Sequence, residues 1–146
     1  MVFRLNRSAL AVPGFRSELF EKAAKNNCDV VFLDLEDSVA IDEKQKARKN
    51  VIEAINDIDW SKKTLSVRVN AVDTTFFRDD IEEILKNSNS KLDLLMIPKA
   101  ESVSDIRKVD EIISIYEGNK KKKVGLELII ETARGLVNIE NIAKAS

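Results

Sequence analysis

Apolar residues recur along this chain in two alternating rhythms. Short runs rich in Val, Ile and Leu read as strands. Each is followed by a longer stretch whose apolar positions fall three and four apart, the spacing of one helix face. Strands are expected near 9–12, 30–35, 65–69, 92–97 and 124–130. The first run stops at Pro13-Gly14, and Ser17 stands where it would cap a helix carrying Leu19, Phe20, Ala23 and Ala24 on one face. Val30–Leu35 is the largely apolar kind of run that parallel strands carry. Asp42, with Gln45 three residues on, predicts a capping-box start to a helix striped by Ala47, Val51, Ile55 and Ile58. Leu65–Val69 precedes a helix marked by Phe77, Ile81, Ile84 and Leu85. Leu92–Ile97 stops at Pro98, and Ser102 caps a helix with Val103, Ile106, Val109, Ile112 and Tyr116 on one side. Gly118 and the basic run Lys120–Lys123 form a turn. Val124–Ile130 follows, and Leu136, Ile139, Ile142 and Ala143 begin a fifth helix.

Such regular alternation implies a parallel sheet with helices outside it. Two α/β architectures fit, an open doubly wound sheet and a closed (β/α)8 barrel. A closed TIM barrel takes about 250 residues, so residues 1–146 would form a single partial TIM-barrel domain of about five βα units. Val12-Pro13-Gly14-Phe15-Arg16 holds a single glycine, which disfavours a dinucleotide-binding Rossmann domain.

Composition then removes whole classes of chemistry. Lys and Arg number 24 against 25 Asp and Glu, a net charge of -1 that gives no electrostatic case for a nucleic-acid partner. No apolar run is long enough to span a bilayer, and the opening Met1–Arg7 carries no leader pattern, so a cytoplasmic protein is expected. The lone Cys28 excludes an internal disulfide and fits a reducing compartment. With no His in the chain to serve as its base, Cys28 reads as a packing residue. The same lack excludes a Ser-His-Asp or Cys-His centre and zinc held through imidazole. Carboxylates, Arg, Lys, hydroxyls and a hard cation remain.

Charges collect at the strand ends, where parallel α/β folds place their ligands. The second strand ends Asp34-Leu35-Glu36-Asp37, the third reads Ser66-Val67-Arg68-Val69-Asn70, the fourth ends Pro98-Lys99-Ala100-Glu101 and the fifth Ile129-Ile130-Glu131-Thr132. Alternation puts Asp34 with Glu36, Ser66 with Arg68 and Asn70, and Glu127 with Ile129 and Glu131. If those faces point inward, Glu36, Arg68 and Glu131 meet at one rim. A charge buried there costs several kcal/mol unless it is paired or binds a cation. Magnesium, held by few carboxylates plus water and substrate oxygens, would satisfy it. Plainer readings stand beside this one. Asp37 can begin a loop, Arg68 can pair with Glu36 or Asp34, Glu127 can serve a cation such as Arg68 inside the barrel, and Lys120–Lys123 can be a solvated turn.

Taken together, Arg7-Ser8-Ala9-Leu10-Ala11-Val12-Pro13-Gly14, Val31-Phe32-Leu33-Asp34-Leu35-Glu36-Asp37-Ser38-Val39 with Lys44 and Ala47-Arg48, Val67-Arg68-Val69-Asn70, Met96-Ile97-Pro98-Lys99-Ala100-Glu101 and Ile130-Glu131-Thr132-Ala133-Arg134-Gly135 resemble the HpcH/HpaI aldolase and citrate lyase β-subunit superfamily. The resemblance spans nearly the whole chain. It implies a barrel enzyme that cleaves or forms C–C bonds between an acyl thioester and a 2-oxo or 2-hydroxy acid, of the citryl-CoA or malyl-CoA lyase type. By the same resemblance Glu131 is the metal ligand, and Arg68 contacts the reacting carbonyl. Glu36 and Asp37 act near the metal through water. Arg16, Arg68 and Lys99 serve substrate and CoA binding. The implied cofactor is Mg²⁺, with CoA as part of the substrate.

The resemblance also implies a second metal-ligand aspartate on the next strand, beyond Ser146, and a C-terminal segment over the site. A truncated chain with little activity alone is therefore expected, with a homo-oligomer or a partner chain completing the barrel. A CoA-independent 2-oxo acid aldolase and a non-catalytic subunit of a lyase complex are the alternatives.

Overall fold

The computed structural model describes residues 5–88, 91–117 and 124–145; Gly118 and the Lys120–Lys123 run fall outside them. Five strands form one sheet: β1 (Ala9–Pro13), β2 (Val30–Asp34), β3 (Thr64–Arg68), β4 (Leu94–Ile97) and β5 (Gly125–Leu128). The helices are α1 (Phe20–Ala24), α2 (Lys44–Asp57), α3 (Phe77–Asn87), α4 (Val103–Glu117) and α5 (Ala133–Ala143). All four strand pairs are parallel, and the spatial order is the sequence order, β1-β2-β3-β4-β5. Crossovers between parallel strands are right-handed. An order that never reverses therefore puts every helix on the same side of the sheet. A doubly wound sheet needs a reversal, so the order selects consecutive units of a (β/α)8 barrel.

The helix-covered face holds the main core. Val31, Leu33 and Leu35 from the second unit, Leu65, Val67 and Val69 from the third, and Leu95 and Ile97 from β4 share one buried cluster with Ala47, Val51 and Ile55 of α2, Ile81 and Ile84 of α3, and Val109 and Ile112 of α4. Each large side chain so buried contributes about 1.5–3 kcal/mol. Alternate residues point the other way. Register aligns them in two rows, Ala11-Phe32-Ser66-Leu94-Gly125 and Pro13-Asp34-Arg68-Met96-Glu127. The second row lies at the carboxyl end of the sheet and carries the charge.

Helix entry departs from expectation at two places. Ser17 opens a 3₁₀ turn, Ser17–Leu19, and caps nothing with its side chain; α1 follows as a single short turn and a half. The capping box expected at Asp42 and Gln45 is absent as well. The chain enters α2 through a 3₁₀ turn, Ile41–Glu43, closed by the Glu43 N–H donating to Ala40 O at 3.0 Å, so a backbone bond replaces the side-chain cap. Ser102 meets expectation more fully. Its hydroxyl accepts from the Asp105 N–H at 3.4 Å, and Asp105 accepts the Ser102 N–H at 2.9 Å, a reciprocal box.

The fifth helix is also less covered than its apolar stripe suggested. Ile142 is buried, but Leu136, Val137 and Ile139 are exposed, Val137 to 84%. No described element packs over that side. Among the described residues no helix is long and apolar enough to cross a membrane.

Close backbone approach seats the first turn of α5 against the loop that follows β4. A Cβ on Gly135 would lie 2.5 Å from the Ala100 carbonyl oxygen, a backbone atom with little room to retreat. Gly135→Ala is expected to destabilise the fold by about 1–3 kcal/mol, the usual range for overpacking. A urea midpoint unchanged from the parent chain would contradict that.

Candidate functional site

Asp34 is the last residue of β2 and points to the uncovered face, 1% exposed. Directly beside it in the register stands Arg68, the last residue of β3. Their facing positions produce a bidentate pair. Arg68 Nε donates to Asp34 Oδ1 at 2.7 Å and Nη2 to Oδ2 at 2.8 Å. Asp34 also accepts the Glu36 N–H at 2.9 Å and the Ser38 N–H at 3.1 Å. Four donors fill the lone pairs of this carboxylate, so Asp34 holds Arg68 and is no metal ligand. Burial alone would push its carboxyl up, but Arg68, Ser38 and the Glu36 backbone outweigh that and keep it below the ordinary carboxylate range. Arg68 is pushed up, chiefly by its bond to Asp34.

The outer edge of the guanidinium, Nη1, lies 3.3 Å from Glu36 Oε2, and the guanidinium carbon sits 5.7 Å from the Phe32 ring centroid. Glu36 is 5% exposed. Its Oε1 accepts from Lys99 Nζ at 2.5 Å, whereas its buried Oε2 has no hydrogen-bond donor. Lys99 follows β4 at φ 51°, the one non-glycine residue with positive φ among those described. That backbone turn aims its N–H at Glu131, whose Oε1 accepts at 3.0 Å. Lys99 Nζ also lies 3.6 Å from Asp37 Oδ1.

The rim expected from sequence therefore gathers Glu36, Asp37, Arg68, Lys99 and Glu131. Glu131 joins through the Lys99 backbone and not by strand alternation, because β5 ends at Leu128. Glu127 is exposed, and Arg68 takes Asp34 as its partner in place of it. Asn70 does not share the Arg68 face in practice. The strand stops at Arg68, and Asn70 turns to Asp80 of α3, which accepts its N–H at 3.0 Å and its Nδ2 at 2.6 Å. Arg16 stays apart from the cluster, paired with Glu18 and 6.0 Å from the centroid of Phe15. Cys28 is half-buried against the core.

Lys44 entered the sequence reading only as part of the family motif, with no role of its own. Its ammonium is buried and donates to Leu35 O at 2.7 Å and Glu36 O at 2.6 Å, fixing the peptide that carries Glu36. Burial lowers its pKa against the pull of Asp80, Asp34, Glu36 and Asp37. The available signal was spacing: Lys44, Ala47, Arg48 and Val51 all lie on the inward stripe of α2.

The donor chemistry suits a hard cation. Glu131 is exposed with one oxygen engaged by Lys99, and Glu36 offers a buried oxygen without a donor. Among the described residues no three His, Cys, Asp or Glu side chains stand close enough together to cage a metal ion. Magnesium asks for no such cage, being held by one or two carboxylates with water and substrate oxygens completing its shell.

The Asp34–Arg68 pair also fixes a pH response. A carboxyl whose folded pKa is depressed contributes stability above its unfolded value, about 3.9, and loses it as pH falls through the folded value. In Arg68→Met the burial of Asp34 loses its main opposing cation, so the acid-unfolding midpoint moves to higher pH. Circular dichroism across an acid titration checks this, and identical midpoints would refute it.

The sequence profile of the HpcH/HpaI aldolase/citrate lyase family matches residues 7–146. The L-malyl-CoA/beta-methylmalyl-CoA lyase of Rhodobacter capsulatus is 48% identical over 145 residues, which cover 98% of this chain and 46% of that protein. The citrate lyase beta subunit of Mycobacterium tuberculosis, solved with oxaloacetate and magnesium, superposes with a TM-score of 0.73 at 33% identity over 94% of this chain and 53% of its own. CitE of the same organism, solved with magnesium, acetoacetate and coenzyme A, superposes at 0.74 with 32% identity over 97% of this chain and 47% of its own. The chain thus spans about half the length of the relatives it matches.

Proposed function

Because the chain belongs to the HpcH/HpaI aldolase/citrate lyase family, we propose that it carries the acid- and thioester-facing part of a magnesium-dependent C–C lyase for acyl-CoA esters of hydroxy acids, of the malyl-CoA or citryl-CoA type. The observation that carries this reading is Arg68, locked by a fully satisfied Asp34 at the carboxyl end of the sheet with its Nη1 edge turned to Glu36. A guanidinium fixed on one edge offers its other N–H groups in a preset direction. Directed at the thioester oxygen, they would stabilise the enolate charge that develops when the C–C bond breaks. Glu131 would hold the metal, with Glu36 and Asp37 orienting its water. When bound, Mg²⁺ supplies a Lewis acid for the carbonyl of the acid. Lys99 would meet the acid's carboxylate, and Arg16, once parted from Glu18, a phosphate of CoA.

Calorimetric titration with Mg²⁺ and oxaloacetate, then with CoA, tests the reading, together with malyl-CoA cleavage followed by formation of the 2-oxo acid glyoxylate, the thioester staying intact as acetyl-CoA. Binding of acid only in the presence of Mg²⁺ supports it. Acid binding without CoA binding would favour a CoA-independent 2-oxo acid aldolase. The exposed Leu136 and Val137 of α5 favour a partner chain or a homo-oligomer that covers them, and size-exclusion chromatography with and without a full-length relative tests for a non-catalytic subunit. The lone Cys28 supports a cytoplasmic setting.

A further inference from the structure

Two cations face the same carboxylates, and they are held in opposite ways. Arg68 is anchored by two bonds to Asp34 and is largely covered. Lys99 is 45% exposed along its side chain, reaches Glu36 and Asp37 through a single ammonium, and hangs from a left-handed backbone. Backbone in that region is strained for a non-glycine residue. Here the turn gives one residue two targets. Its N–H holds Glu131, and its Nζ holds the Glu36–Asp37 pair. The ammonium therefore sits within one lysine side chain of the carboxylate read as the metal ligand, beside a buried Glu36 oxygen that lacks a donor.

We propose that the Lys99 ammonium is a resident counter-cation of this rim, occupying the Glu36–Asp37 carboxylates and weakening divalent-ion binding at Glu131 until it turns outward. The inference rests on the metal site of the lyase reading. A unit charge roughly 6 Å from a divalent cation weakens its binding by about tenfold even at the dielectric of bulk water. Once turned out, the ammonium is placed to meet an anion. Metal and acid then favour one another, because the acid takes the ammonium away from the carboxylates that the metal needs. Arg68 cannot exchange in this way, since its partner Asp34 has no free lone pair.

The test is Mn²⁺ binding by the whole chain, read from the electron-paramagnetic signal of the free ion, with and without oxaloacetate. Lys99→Met and Lys99→Asn are compared with the parent and with Lys144→Met, which removes a cation paired to Glu140 on α5. Asn suits the left-handed backbone, so it guards against a folding defect in the Met variant; equal thermal midpoints check this. Both Lys99 variants should bind Mn²⁺ about tenfold more tightly without acid. They should also lose most of the strengthening that oxaloacetate gives the parent, while Lys144→Met stays within about twofold. Parent binding that neither Lys99 variant improves overturns the proposal and leaves the metal site standing. No Mn²⁺ binding by any version removes the metal site itself, and the proposal with it.

Discussion

Asp80→Ala is expected to lower the stability of the chain by about 3–5 kcal/mol, the cost of leaving a buried charge without its partner. Arg48, Asp80 and Asn70 are all buried, Asp80 completely. Arg48 Nε and Nη2 both reach Asp80 Oδ1 at 2.8 Å, and Nη1 reaches Glu83 Oε1 at 2.7 Å. Alanine leaves the guanidinium with half-exposed Glu83 alone and strips the two N–H groups of Asn70 of their acceptor. Total stabilities are typically about 5–15 kcal/mol, so the loss would be a large share. The urea midpoint by circular dichroism reads it out. Asp80→Asn keeps the shape and one acceptor and should cost less. A double change to Arg48→Met with Asp80→Leu, which removes both charges, should recover most of the loss. A drop below about 1 kcal/mol in Asp80→Ala would show that water reaches the network and that its burial has been overstated.

This network also shows where sequence reading stops. The βα alternation was legible because strand and helix periods are local properties, and five strands appear where the apolar runs predicted them, to within two residues at each end. The rim was legible in part because register turns strand-end positions into neighbours: Asp34 beside Arg68 follows once β2 and β3 pair in parallel. Glu131 was placed at the rim by strand alternation and given its role by resemblance, but the contact that ties it in is the backbone N–H of Lys99, and no periodicity announces a left-handed turn. The roles of Lys44 and Arg48 lay hidden for a different reason. Charged residues on a helical stripe look like interruptions of the core, yet here each finds buried acceptors 8 to 32 residues away in sequence. The helix caps failed where a 3₁₀ turn supplied the bond that a side chain was expected to make.

The same distinction between a held cation and a movable one governs the largest effect expected on chemistry. On the lyase reading, Arg68→Lys should lower the rate of malyl-CoA cleavage by about 10²–10³, the range for losing one preorganised donor to developing negative charge. Lysine keeps the charge, so electrostatics alone would predict little change. What it loses is the fork. A single ammonium can sit on Asp34, whose oxygens already draw it inward, or face the substrate, but not both. The fall should appear mainly in kcat, with KM for the thioester altered far less, because the lost bond matters most once enolate charge has formed. Asp34→Asn tests the other half of the pair. It leaves Arg68 intact but loosens one edge, and a decrease of about tenfold in kcat is expected from misdirection alone. Thermal midpoints separate both changes from unfolding. Arg68→Lys retaining activity within about threefold of the parent would mean that the fixed guanidinium serves only to brace β2 against β3, and the charge on the reacting carbonyl would have to be met by some other group.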